Sequence, residues 1–432
     1  MSGDSTDQLP PARAHLLERQ RSYLQAASRP DASATPDLAR PRGTPRFHVA
    51  TVATGWRSAF GGLNTLNREL CCAMAAAGSR VVCIVPRAEP AEVAEARARQ
   101  VDLVEAEWLP DGDARPRWPR GFSPDFIIGH GRVTGPAAQR MADRLPGCRR
   151  LHVLHVAPDE IDPLKPEREY DQGTLSEKRA RAEVELGRGA YRVIAVGPRL
   201  HRRYLTEFGR GAGPRVLELD PGFDATTSPV PGPPEGAPWR ILLFGRAEDA
   251  ELKGLDIGVR ASAIAASWLT RQFADIEFWV RGAPVGHADV LHDQLRRWAR
   301  NRDMRVVVRT FTTDPAELRQ DLEGASLILM PSRAEGFGLT GLEAITAGIP
   351  ALVSDASGLG LLLDKLLPDE VMHRTVVPVD GSFSAASQRW ARSIHAVMRH
   401  REAAFEQARS TRDYLGTRHT WSTAAISLLS KL

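Results

Sequence analysis

The sequence predicts an α/β protein of two Rossmann-like, doubly wound domains facing each other across a cleft. Three observations carry this expectation. Short apolar runs alternate with helical-period segments along almost the whole chain, and a strand, glycine loop, helix unit occurs twice, at 47–77 and at 326–350. The densest Pro, Gly and Ser cluster, 220–238, separates two stretches of similar length. At 432 residues the chain also exceeds the size at which a single core keeps growing.

In chain order, residues 1–44 are rich in Pro, Ala, Ser, Asp and Arg and read as a mostly disordered tail with one short helix at 12–27. The N-terminal domain, 45–222, opens on a strand at 47–53. A loop ending in Gly61 and Gly62 follows, then a helix at 63–77 stopped by Gly78. Strands are expected at 81–85 and 101–105 around a polar helix, and again at 126–128 and 151–156. The segment 158–189 is strongly charged and reads as a loop leading into a solvated helix; strands at 191–196 and 215–219 follow, with a helix between them. A linker occupies 223–238. The C-terminal domain, 239–415, restarts the alternation with strands at 241–244, 276–280 and 306–309 and helices at 255–269 and 288–300. The segment 416–432 ends in an apolar amphipathic helix, which needs a surface to cover.

The stretch 326–350 is the most informative. Its apolar run, Leu327–Met330, suits a strand buried on both faces and is stopped by Pro331, which cannot donate to a ladder. Gly336 and Gly338 then permit close approaches, and Leu339, Leu342, Ile345 and Thr346 recur at helical spacing until Gly348 and Pro350. In a parallel sheet this points a helix N-terminus, with unpaired N–H groups and partial positive charge, at the crevice beyond the strand ends. Phosphate binds there. Glu335 and Glu343 flank the loop; carboxylates repel phosphate but accept from hydroxyls, so the pair suits a sugar on one side of a diphosphate and a ribose on the other.

Composition excludes several classes. The net charge is +4 with a pI near 9.0, and the basic residues are nearly all arginine, with lysine only at Lys165, Lys178, Lys253, Lys365 and Lys431. No basic block interleaved with aromatics stands out, which argues against a nucleic-acid partner. Cys71, Cys72, Cys83 and Cys148 have no metal spacing and read as free thiols in a reducing compartment. No apolar run is long enough to span a membrane and the N-terminus lacks a signal-peptide core, so a cytoplasmic protein is expected, with peripheral membrane contact left open. His130 and His155 end consecutive strands, where an open α/β sheet presents ligands. His152 lies three residues before His155 and should face the other way, which removes a chelating pair. Asp159 and Glu160 read as a solvated loop rather than as acceptor contacts.

With these elements placed, the chain resembles the GT-B glycosyltransferases, most closely the retaining group called family 4. Glu335-Gly336-Phe337-Gly338-Leu339 followed by Glu343 is similar to that family's E-x7-E signature. Phe244-Gly245-Arg246 with Lys253-Gly254-Leu255-Asp256 resembles its Gly-Arg and Lys-Gly element, and Gly61-Gly62-Leu63-Asn64 its N-terminal glycine loop. The resemblance covers about 46–432. It implies transfer of a glycosyl group from a nucleoside-diphosphate sugar, a UDP- or GDP-sugar foremost, to an acceptor hydroxyl with retention, with no metal or other cofactor. The acceptor stays open among small molecules, glycans and lipid-linked sugars.

By the same resemblance, His155, Glu335, Arg246 and Lys253 are the expected catalytic residues. Gly61, Gly62, His130, Gly336, Phe337, Gly338, Leu339, Thr340 and Glu343 join Arg246, Lys253 and Glu335 in donor binding. Glu343 would hold the ribose, Glu335 the sugar, and the two cations the diphosphate. Two features depart from the family pattern: a longer loop, 247–252, between Arg246 and Lys253, and Asp355-Ala356-Ser357-Gly358 where a Gly-Gly pair is usual. Two alternatives remain, a non-catalytic nucleotide-sugar-binding module and a GT-B sugar-nucleotide epimerase.

Overall fold

A computed structural model describes residues 46–57, 62–109, 113–164, 172–209, 213–224, 228–236, 238–269, 275–301 and 303–432. The expected tail with its helix, and Gly61, lie outside the described residues.

The first unit is built on an eight-stranded sheet: β1 (His48–Val52), β2 (Arg80–Val85), β3 (Val101–Trp108), β4 (Ala114–Pro116), β5 (Phe126–His130), β6 (Arg149–Leu154), β7 (Arg192–Val196) and β8 (Arg215–Leu219), in the order 4-3-2-1-5-6-7-8. Its helices are α1 (Gly62–Ala76), α2 (Pro90–Ala98), α3 (Gly131–Asp143), α4 (Pro158–Ile161), α5 (Gln172–Arg188) and α6 (Gly197–Phe208). All pairings are parallel except β3 with β4. The sequence reading has no strand at β4, because three residues are too few to show a period. Pro116 fits there because an edge strand can lack a ladder donor.

The second unit carries a six-stranded parallel sheet: β9 (Trp239–Phe244), β10 (Ile276–Ala283), β11 (Arg305–Thr310), β12 (Leu327–Met330), β13 (Ala351–Ser354) and β14 (Val376–Val377), in the order 11-10-9-12-13-14. Helices α7 (Leu255–Leu269), α8 (Ala288–Ala299), α9 (Pro315–Glu323), α10 (Leu339–Thr346), α11 (Gly358–Leu366), α12 (Asp369–Thr375), α13 (Phe383–Arg399), α14 (Arg401–Arg418) and α15 (Trp421–Leu429) complete it. Each sheet reverses its winding once, between β1 and β5 and between β9 and β12. Ligands bind beyond the strand ends at such switch points.

The two units touch through apolar packing and through glycines. One core runs from Leu66, Leu70 and Met74 of α1 across to Met330, Phe337, Leu342 and Leu359. A side chain on Gly336 would overlap the His155 carbonyl, and Gly197, at φ +79°, lies under the Phe337 ring. Arg199 bridges the units: it donates to Glu160 at 2.7 Å and to the Ala356 carbonyl. The last helix, α15, returns to pack on α1 of the first unit. There the Trp421 N–H donates to Asp224 at 2.6 Å and the Phe223 N–H to the His419 carbonyl at 2.7 Å. No helix among the described residues is long and apolar enough to cross a membrane.

Helix α5 corrects the expectation of a solvated element. Glu183 is only 2% exposed; it lies at the start of α3, accepting from the Arg132 N–H at 3.1 Å, with His152 Nε2 at 3.4 Å from its other oxygen. A charged sequence conceals such a residue, because its period does not mark the one acid that turns inward. Asp159 and Glu160 are likewise not free in solvent: they pair with Arg203 and Arg199 at 2.8 and 2.7 Å.

Candidate active site

The C-terminal wall of the cleft is made where β9 and β12 end. Strand β9 stops at Phe244, and the chain turns through Gly245 and Arg246 into a short 3-10 turn, Ala247–Asp249. Gly254, at φ +67°, lies against the Pro331 carbonyl, an approach that any side chain would block. Arg333 then clamps the two loops together. Its guanidinium grips Asp256 with bonds of 2.8 and 2.6 Å, and its N–H donates to the Leu252 carbonyl at 2.8 Å. This clamp brings Lys253 onto Glu335: the ammonium donates directly to the Glu335 carboxylate. Arg246 points outward, 63% exposed, with Asp249 at 3.2 Å.

The Gly336–Leu339 loop presents backbone rather than side chains. Phe337 is buried against Gly197, and Leu339 packs on Gly62. Gly338, at φ 108°, caps α10 with no side-chain cap, so the N–H groups that open the helix carry its partial positive charge next to the Glu335 loop that Lys253 pairs with. Thr340 is half-buried in that first turn. Glu343, one turn further, is exposed by surface area, but the protein packed around it desolvates its carboxyl. That desolvation pushes its carboxyl up to about 7, with Arg68 pulling the other way.

The N-terminal wall is uncharged at its centre. His155, half-buried, ends the chain of β6 opposite Gly336, and its Nε2 lies 2.9 Å from His130 Nδ1. His130 is fully buried, and its Nε2 lies 2.9 Å from Asn67 Oδ1 on α1. Its backbone is fixed too: the His130 N–H donates to Thr134, which donates to the Val52 carbonyl at 2.7 Å. Desolvation drives His155 down to about 4 and His130 well below the usual range for histidine, so both are neutral imidazoles at pH 7.

A model of the family 4 glycosyltransferases in conflict systems matches residues 50–428. The chain belongs to that family. It is 30% identical over 269 residues to a D-inositol 3-phosphate glycosyltransferase of Arthrobacter sp. (strain FB24), covering 58% of this chain and 61% of that protein. It is 27% identical to a glycogen synthase of Mycobacterium tuberculosis (strain ATCC 25618 / H37Rv), over 59% and 56% of the two chains. These matches thus span a little over half the relatives' length. Among solved structures, sucrose-phosphate synthase from Thermosynechococcus elongatus superposes with a TM-score of 0.61 at 18% identity, over 89% of this chain and 97% of that one. Anabaena HepE, solved with UDP and glucose, superposes with a TM-score of 0.60 at 18% identity, over 89% and 100%. The fold is GT-B.

In this family member, Lys253, Glu335, the 336–339 backbone, Thr340 and Glu343 belong to one wall, with the outward-pointing Arg246 at its rim. His155 stands on the other, and Gly62 lies at the contact between the two. His130 is displaced from the expected donor contact: at 0% exposure it reaches the cleft only through His155. Sequence reasoning missed Asn67, Arg333 with Asp256, and Arg199. Asn67 gives a faint signal as a polar residue at a buried position of α1. Asp256 appears in the sequence only as the end of the Lys-Gly element, and neither Arg333 nor Arg199 carries a local signal.

Proposed function

We propose that the chain transfers a sugar from a nucleoside-diphosphate sugar to an acceptor hydroxyl with retention of configuration and without a metal. One observation carries the reading: Lys253 pairs with Glu335 beside the N-terminus of α10, and the His155 backbone packs against the same loop at Gly336, while Arg246, 63% exposed beside Asp249, would turn in from the rim. Two cations and a helix terminus suit a diphosphate leaving group, which gains charge as the bond to the anomeric carbon breaks. Lys253 and Glu335 satisfy one another; a donor would separate them, the ammonium passing to phosphate and the carboxylate to sugar hydroxyls. Glu343, as a carboxylate, accepts from the ribose.

The anomeric C–O bond to phosphate breaks while the acceptor oxygen bonds to the same face. The acceptor's proton passes to the departing phosphate oxygen, so no separate carboxylate base is needed. A neutral His155 on the N-terminal wall can hydrogen-bond a hydroxyl without competing for the phosphate. Closure of the cleft excludes water, which limits hydrolysis. The reading sets the protein in the cytoplasm. HepE was solved with UDP and glucose, and starch synthase IV of Arabidopsis thaliana with ADP and acarbose, so ADP-sugars join UDP- and GDP-sugars as donors to try. The test is incubation with UDP-, GDP-, ADP- and dTDP-sugars, following nucleoside diphosphate release and thermal shift. Release that depends on an added acceptor supports transfer; failure of every donor to bind sinks it.

A further inference from the structure

The second histidine and the buried amide behind it have no part in the reaction as described, yet their geometry is directional. Asn67 is 1% exposed, and its two amide atoms have distinct partners. Nδ2 donates to Cys83 Sγ at 3.3 Å, while Oδ1 faces His130 Nε2 at 2.9 Å and lies 3.8 Å from the Cys71 thiol, which donates to it. The Cys71 sulfur is in turn 3.2 Å from the Thr51 hydroxyl. A carbonyl oxygen only accepts, so His130 must carry its proton on Nε2. Its Nδ1 is then a bare lone pair, and the 2.9 Å contact requires that His155 donate from its own Nε2. The two nitrogens of an imidazole point apart. With Nε2 committed inward, His155 turns a bare Nδ1 away from the chain of bonds.

We propose that Asn67 and His130 are positioning residues that fix His155 as the Nε2–H tautomer, so that its Nδ1 accepts a hydrogen bond from a hydroxyl in the cleft. The consequence for catalysis rests on the glycosyl-transfer reading; the tautomer does not. An acceptor nitrogen orients a sugar hydroxyl by taking its proton and is indifferent to groups that only accept, such as phosphate oxygens. The fully buried position of His130 suits this role, since water cannot enter to satisfy the opposite polarity. The neutral state of both rings, kept by desolvation, lets the chain of bonds persist at neutral pH.

The test uses the full chain with ¹⁵N-labelled histidine, reading the His155 ring nitrogens by NMR. The wild type should show a protonated-type Nε2 and an unprotonated-type Nδ1. Asn67→Leu removes the acceptor while keeping the branched shape and should give a mixture of the two tautomers, with kcat lowered about fivefold to tenfold, the size of one misplaced neutral hydrogen bond. Asn67→Asp keeps an acceptor oxygen but adds a carboxylate that draws a second proton onto His130, whose Nδ1–H then donates to His155 and should turn the His155 tautomer over. It also serves if the leucine variant fails to fold. A wild-type His155 protonated on Nδ1 overturns the proposal. So does an unchanged kcat in Asn67→Leu when His155→Ala is impaired. An unchanged rate in His155→Ala, with the expected tautomer seen, overturns instead the placing of His155 at the reaction.

Discussion

The two walls of the cleft solve opposite problems. The C-terminal wall keeps its charges, Lys253 against Glu335 and Arg246 against Asp249, close to solvent and paired with each other. The N-terminal wall keeps its ionisable groups neutral by burying them, with His130 at 0% exposure and His155 held at about 4. A diphosphate needs charge that is already present; a sugar hydroxyl needs directional neutral partners. The difference therefore separates nucleotide binding from sugar orientation on physical grounds, and substitutions on either side can break the separation.

The largest effect is expected from Lys253→Ala. It removes a cation from the developing charge of the leaving group and should lower kcat by about 10²–10³-fold, as loss of one preorganised electrostatic donor does, read by nucleoside diphosphate release. Gly336→Ala should follow. Its added carbon would overlap the His155 carbonyl, holding the walls apart, and displacement of this kind costs about 10²-fold with the fold retained by circular dichroism. His155→Ala should cost about tenfold or less, the size of one neutral hydrogen bond.

The remaining effects are in pH, and their signs differ between the walls. Glu343 is raised to about 7, so its protonated form predominates below that value in the free enzyme. Ribose binding needs the carboxylate. Affinity for nucleoside diphosphate should therefore rise by up to about tenfold per unit from pH 5 towards 7 and level off above it, and Glu343→Gln should abolish the slope, by calorimetry. Stability follows a separate rule. A raised carboxylate favours the folded state below its unfolded value near 4.5, and that contribution fades as pH rises towards 7. The depressed histidine works the other way: its contribution is present above 6.5 and is lost as pH falls towards 4. Thermal melts of His155→Gln should thus lose less stability between pH 6.5 and 4 than the wild type.

The fold and the charged wall were legible in the sequence; the neutral wall was only half so. Strand, glycine loop and helix at Leu327–Met330 and Leu339–Thr346 follow from local rules of period, proline and glycine, which act within a few residues. Glu335 and Lys253 could be named because each sits in a short, recognisable element. That they touch depends on Arg333 gripping Asp256 across 77 positions, a contact with no local signature. His130 and His155 were visible as strand-end histidines, but which of them faces the cleft is decided by packing under α1. Asn67 lies 63 positions from His130 and could be joined to it only by the crossover that sets β1 beside β5. Glu183 was hidden because a charged helix carries one inward acid among many outward ones.

The separation of the walls can be measured directly by titrating Lys253→Ala and His155→Ala with the bare nucleoside diphosphate and with the intact nucleotide sugar. The account predicts that Lys253→Ala weakens binding of both ligands, whereas His155→Ala leaves the bare diphosphate at the wild-type Kd and weakens only the nucleotide sugar. Equal weakening of the bare diphosphate by both substitutions would contradict it.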